Sequence, residues 1–221
     1  MARFILINVL TGVGVALALQ CVWYFIFLAY NRRKGAEALQ WVQAACGGRA
    51  RVSAVRWLRG HCLLAKVRFP LRGLENARVT VQLRPRALPL QWLMSWWRKQ
   101  SETLTLDADL EQTPRMRLQV FNHQWTYRSA DATQDEKRQW EITKTGPVVM
   151  ATRGRWREDS LAELNALMSV RQHGFHQVEF RPESPQFSAT IELESLANPE
   201  AAAKFLASLR GIAAGASAQR Q

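Results

Sequence analysis

The chain has 221 residues and a net charge of +12, from 30 Lys/Arg against 18 Asp/Glu. Setting aside an apolar N-terminal run leaves roughly 190 residues, room for one sizeable α+β domain or two small ones sharing a sheet, the single unit being the simpler. With three cysteines and no CxxC pair, a disulfide framework is excluded.

From Phe4 to Tyr30 there are 27 consecutive positions without a charge. At about 1.5 Å per residue such a helix crosses a hydrocarbon core of about 30 Å with some tilt. A cleaved signal peptide is the rival, but its apolar region is shorter and ends at small residues, whereas this run ends in aromatics followed by Asn31-Arg32-Arg33-Lys34. A retained transmembrane anchor, residues 1–34 with its basic flank, is therefore expected. Within it Asn8, Gly12, Ala16, Gln20 and Tyr24 recur every four residues. Small residues let helix backbones approach, and a buried amide in lipid needs a partner, so Asn8, Gly12, Ala16 and Gln20 form the expected packing face for another transmembrane helix, of a partner or of a second copy. The alternative is that such residues are common in membrane helices and carry no contact.

Charge is divided unevenly. Residues 31–100 hold 15 Lys/Arg and two acids, Glu37 and Glu75, whereas residues 101–221 hold 14 and 16. Basic residues close to a span stay on the cytoplasmic side, and Arg32, Arg33, Lys34, Arg49 and Arg51 outweigh Arg3. The N-terminus is expected outside and the domain, residues 35–214, in the cytoplasm, where Cys46 and Cys62 would be free thiols; a single bridge between these two remains open.

Lys34 to Cys46 reads as a short helix ended by Gly47-Gly48, either continuing the anchor or bending from it. Strand-like runs follow at 50–58, 62–69 and 76–84, the second and third each with one apolar and one basic face, and the first two joined by a turn at Arg59-Gly60-His61. Leu90 to Lys99 is the second notable stretch. On a helix, Trp92 and Trp96 stack four apart, as do Leu93 and Trp97, and the segment ends in Arg98 and Lys99, which suits a helix lying among anionic lipid headgroups. The competing reading makes these tryptophans part of the domain's core.

Residues 103–111 alternate Leu104, Leu106, Ala108 and Leu110 against Thr105, Asp107, Asp109 and Glu111. Three acids at this spacing could hold a divalent cation, but a hairpin with the next run would set them opposite Arg115 and Arg117. No metal is expected. A possible sub-boundary lies at 131–138. Beyond it the pattern predicts a strand at 147–152, a helix opened by the capping box Ser160 to Glu163, a hairpin around Pro182-Glu-Ser-Pro185, a helix started at Asn198-Pro199, and a flexible tail over 215–221. The expected architecture is thus α+β: one transmembrane helix, then a mainly antiparallel sheet with three to four packed helices.

No catalytic or cofactor-binding residue is nominated. Phosphate-loop, dinucleotide, zinc-protease and nucleophile-elbow motifs are all missing, and neighbouring His61 and Cys62 point to opposite faces of a strand. His173 and His176 span a glycine turn without further ligands nearby. Nucleic acid is the alternative partner, since twelve Lys/Arg between 49 and 100 interleave with Trp57, Trp92, Trp96 and Trp97; the tether favours anionic lipid instead. The expectation is an accessory, assembly or scaffold subunit of a larger membrane complex, with a membrane-bound enzyme as the different-class rival.

Overall fold

A computed structural model describes residues 2–46, 48–69, 74–111, 113–114, 117–122, 141–145, 148–153 and 175–197, with positions 200 and 203. The apolar run and the short helix predicted after it form one unbroken helix, α1 (Ala2–Ala45), about 66 Å long. Neither proline nor any paired breaker interrupts it, so the chain has no cause to bend at the Asn31–Lys34 flank. It ends where Gly48 takes a φ of +72°, a left-handed conformation that glycine adopts without steric cost, and returns its N–H to the Gln43 carbonyl at 2.9 Å. α1 is long and apolar enough to cross a bilayer, with a mean hydropathy of 2.1 over its most apolar window and none of that window buried, compatible with a single span or a signal anchor.

Among the described residues, nine strands form one antiparallel sheet: β1 (Arg51–Arg59), β2 (Cys62–Arg68), β3 (Leu74–Gln82), β4 (Thr103–Leu110), β5 (Arg117–Asn122), β6 (Glu141–Thr145), β7 (Val148–Arg153), β8 (Phe175–Phe180) and β9 (Phe187–Glu192). Their spatial order is β1-β2-β3-β4-β9-β8-β5-β7-β6. The first four strands follow chain order as a meander, and β8–β9 join it to the remaining three. The sheet therefore runs continuously across the sub-boundary expected at 131–138, which itself lies outside the described residues.

Alternation decides which side is core. Leu63, Ala65 and Val67 of β2, Ala77, Val79 and Val81 of β3, Leu104, Leu106 and Ala108 of β4 and Phe187, Ala189 and Ile191 of β9 are all buried on one face. The C-terminal part of α1 packs on that face, joining its core through Ala38, Leu39 and Val42, with Val42 beside Val79, Leu104 and Leu106. Gly35 permits the closest approach: a Cβ there would stand 2.8 Å from Cη2 of Trp57, which faces the helix from β1. The opposite face is basic where β2 and β3 carry Lys66, Arg68 and Arg78, all exposed.

Two expectations need correction. Among the described residues there are two α-helices, α1 and α2 (Pro89–Trp97), plus a 3-10 turn at Leu193–Ala197, fewer than the three to four expected. The stretches predicted as helices from Ser160 and from Asn198 fall outside the described residues, positions 200 and 203 apart, as do His173, Arg115 and the tail. Second, β4 and β5 do not pair. β4 lies between β3 and β9, while β5 lies between β8 and β7. Alternation sets which face a side chain occupies, not which strand lies alongside. Asp107 sits opposite Arg78 and Ser188, whose hydroxyl donates to it at 2.7 Å; Asp109 accepts from Asn76 and Ser184; and Arg117 meets Glu183 at 2.6 Å. The carboxylates are held by donors from β3, β9 and the β8–β9 turn rather than by a hairpin partner.

Candidate membrane-facing site

Where α1 leaves its bare apolar half, the segment between β3 and β4 folds back against it. The Gln20 side-chain amide donates to the Ala87 carbonyl at 3.1 Å, the Trp23 indole N–H donates to the Arg86 carbonyl at 3.0 Å, and the Trp23 ring meets Trp92 edge-on at 5.9 Å. Two carbonyls that precede a helix opened by Pro89 are thus satisfied by α1 side chains. α2 is fixed beside α1 at the level of Gln20 to Trp23.

Directly above lies a buried polar cluster. Arg86 donates to Asn31 Oδ1 and Glu102 Oε1, each at 2.8 Å, and its guanidinium sits 4.7 Å above the Tyr30 ring. Asn31 in turn donates to the Gly60 carbonyl at 3.0 Å, tying α1 to the β1–β2 turn. Lys34 forms an ion pair with the other carboxylate oxygen of Glu102, and the Arg84 backbone N–H reaches Oε1 at 3.3 Å. Burial pushes the Glu102 carboxyl upward, but the Lys34 hydrogen bond and the charges of Arg86 and Lys34 outweigh it and hold the group below its ordinary range. Two cations against one anion leave an excess positive charge, which the face of Tyr30 helps to offset. The cluster binds α1, the β1–β2 turn and the strand ends into one rigid corner.

The expected membrane-interface residues separate into groups. Arg32 is exposed and Arg33 pairs with Glu37 on the helix surface at 3.1 Å, while Lys34, expected beside headgroups, is turned into the domain. Trp92 packs inward on Trp23, whereas Trp96 and Trp97 are exposed, Trp97 by 83%. Arg98 and Lys99 close the helix, Lys99 with a φ of +48°. Of the expected helix-packing residues, Asn8, Gly12 and Ala16 are exposed, and among the described residues nothing lies within 4 Å of a Cβ placed on Gly12. Gln20 differs. One N–H of its side-chain amide is engaged within the chain, by the Ala87 carbonyl, while its second N–H and its carbonyl keep their hydrogen-bonding capacity.

At about 100° per residue, Ala16 points within about 40° of Gln20 and lies one turn nearer the N-terminus. Ala16 therefore lies toward the side of α1 that α2 overhangs, whereas Gly12 and Asn8 turn away from it by about 80° and about 120°. The four tryptophans offered for base stacking are dispersed: Trp57 faces Gly35, Trp92 faces Trp23, and Trp96 and Trp97 are exposed.

Asn31, Arg86 and Glu102 were not singled out from the sequence. One signal was present: Glu102 is the only acid between Glu75 and Asp107, and a lone carboxylate in so basic a stretch has ready partners. Elsewhere, burial pushes the Cys46 thiol up to about 11, so it stays protonated, and lowers His176 to about 4, so it stays neutral. No protein-family model matches this chain, and no curated protein matches it.

Proposed function

We infer that this protein is a single-pass, membrane-anchored accessory, assembly or scaffold subunit of a larger membrane complex, with its α+β domain in the cytoplasm and its N-terminus outside. The observation that carries this reading is the continuity of α1. Its first half is bare and apolar, and its second half belongs to the domain's core through Ala38, Leu39 and Val42. A flexible tether would leave the domain free to tumble; a helix locked by the Arg86–Glu102 cluster holds it at one height and one rotation, the property a scaffold needs. The basic residues clustered after the span support the orientation, and the exposed Asn8, Gly12 and Ala16 offer a face for a partner helix.

The test is purification of the full chain in mild detergent with identification of the proteins that accompany it. A reproducible set of membrane proteins, lost when the residue 4–23 run is replaced by a Leu/Ala helix, is the expected result. Retention of every partner after that swap would move the interface to the domain, and the absence of partners from membranes that retain the protein would remove the subunit reading.

A further inference from the structure

We propose that α2 is an in-plane membrane helix, inserted from one side into the same leaflet boundary that α1 crosses, so that its partner is lipid rather than protein. This rests on the membrane-anchored reading above and specifies the surface by which the domain meets the bilayer.

The distribution of side chains around α2 is the reverse of a soluble helix. The side packed on the protein carries Ser95, which is buried, and Trp92. The opposite arc carries Leu90, Leu93, Met94 and Trp97, which are 69%, 50%, 43% and 83% exposed. At about 100° per residue these four fall within an arc of about 100° that contains no polar residue. In water such a surface is costly; in the boundary between acyl chains and headgroups it is the face an interfacial helix buries, with Arg98 and Lys99 at its end placed for anionic headgroups.

Depth gives the second, independent argument. Phe4 to Trp23 is 20 residues, and at about 1.5 Å each these measure about 30 Å, the thickness of the hydrocarbon core. The hydrogen bonds from Gln20 to Ala87 and from Trp23 to Arg86 set the start of α2 at the end of that interval. The Tyr24–Tyr30 stretch then lies in the headgroup region, and the exposed Arg32 lies above it. The sequence alone extends the span to Tyr30; the position of α2 shortens it by about two turns.

Site-directed spin labelling of the full chain in vesicles containing anionic lipid tests this, with Cys21, Cys46 and Cys62 replaced by Ala and labels placed by Leu93→Cys and Trp97→Cys. A label at exposed Arg68 serves as the aqueous reference. The expected result is loss of collision with an aqueous nickel chelate at 93 and 97 relative to 68, with collision with dissolved oxygen retained. Free access of the chelate to 93 and 97, in protein that resists alkaline extraction, would overturn the in-plane helix while leaving the anchor intact. Exclusion of both reagents would overturn it in favour of a protein partner, and alkaline release of the chain would defeat the anchored reading itself. Should a labelled variant misfold, the native chain supplies a second measurement: Trp96→Phe with Trp97→Phe should reduce the fluorescence quenched by lipids brominated in the upper acyl chain, and an unchanged quenched fraction overturns the proposal.

Discussion

Glu102 is the residue on which the corner of the domain depends. It is 5% exposed and paired with both Lys34 and Arg86, so Glu102→Ala leaves the buried Arg86 and the half-buried Lys34 without their anion. Removing one partner of a buried pair costs about 3–5 kcal/mol. We expect that loss in chemical unfolding of the detergent-solubilised protein, with Glu102→Gln intermediate because its amide oxygen still accepts from Arg86. Gly35 is the steric counterpart. Gly35→Ala forces its Cβ against the rigid Trp57 ring, an overpacking that costs about 1–3 kcal/mol. A smaller ring in the double variant with Trp57→Phe should recover much of the loss, and equal melting of Gly35→Ala and the native protein would show that the sheet yields there freely.

At the scale of elements, α1 and α2 are coupled by few atoms. Gln20→Leu removes the hydrogen bond to Ala87 and leaves a carbonyl to be satisfied otherwise, a net effect of about 0.6–2 kcal/mol in a membrane setting. Its expected phenotype is a loosened α2, read as faster hydrogen exchange over residues 86–98, with the set of co-purifying proteins unchanged. Gly12→Leu should do the opposite, leaving exchange in α2 unaltered and displacing any helix that packs on the stripe, because among the described residues nothing lies within 4 Å of a Cβ placed on Gly12. If Gln20→Leu releases the same partners as Gly12→Leu, the Gln20 amide serves a second protein after all.

For the whole molecule, acid sensitivity follows from two buried groups acting in the same direction. His176, ordinarily near 6.5, is lowered to about 4 by burial, so between those values the unfolded chain binds a proton that the folded one does not. Stability from this group is complete above about pH 6.5 and declines as pH falls toward 4, by at most about 1.4 kcal/mol per pH unit. His61, also lowered by burial and by Arg59, adds to the upper part of that window. Glu102, held below the ordinary carboxylate range, keeps its contribution above 4.5 and loses it as pH falls further. Thermal unfolding should therefore fall off in two stages, the first flattened by His176→Gln and the second by Glu102→Gln; a melting temperature constant from pH 7 to 4 would contradict the burial of His176. In the cell, a reporter fused after Gln221 should be active only if it works in the cytoplasm, and activity of a periplasm-only reporter would reverse the orientation.

The sequence by itself determined the quantities set by local order along the chain: the apolar length of α1, the basic flank, and the alternation that sends Leu63, Ala65 and Val67 inward and Lys66 and Arg68 outward. Those follow from periodicities of 3.6 and 2 that short-range sterics impose on any chain. It also supplied a helix with Trp92, Trp96 and Trp97, but not its direction, since core and lipid both accept an apolar arc. Only the tertiary structure decided that Trp92 turns in while Trp97 turns out, that Gln20 is satisfied by Ala87, that Lys34 answers Glu102, and that β4 takes β3 and β9 as neighbours in place of β5. Each of these joins residues far apart in the chain, and the choice among many chemically acceptable partners is made when the sheet closes over α1 and leaves one donor beside one acceptor.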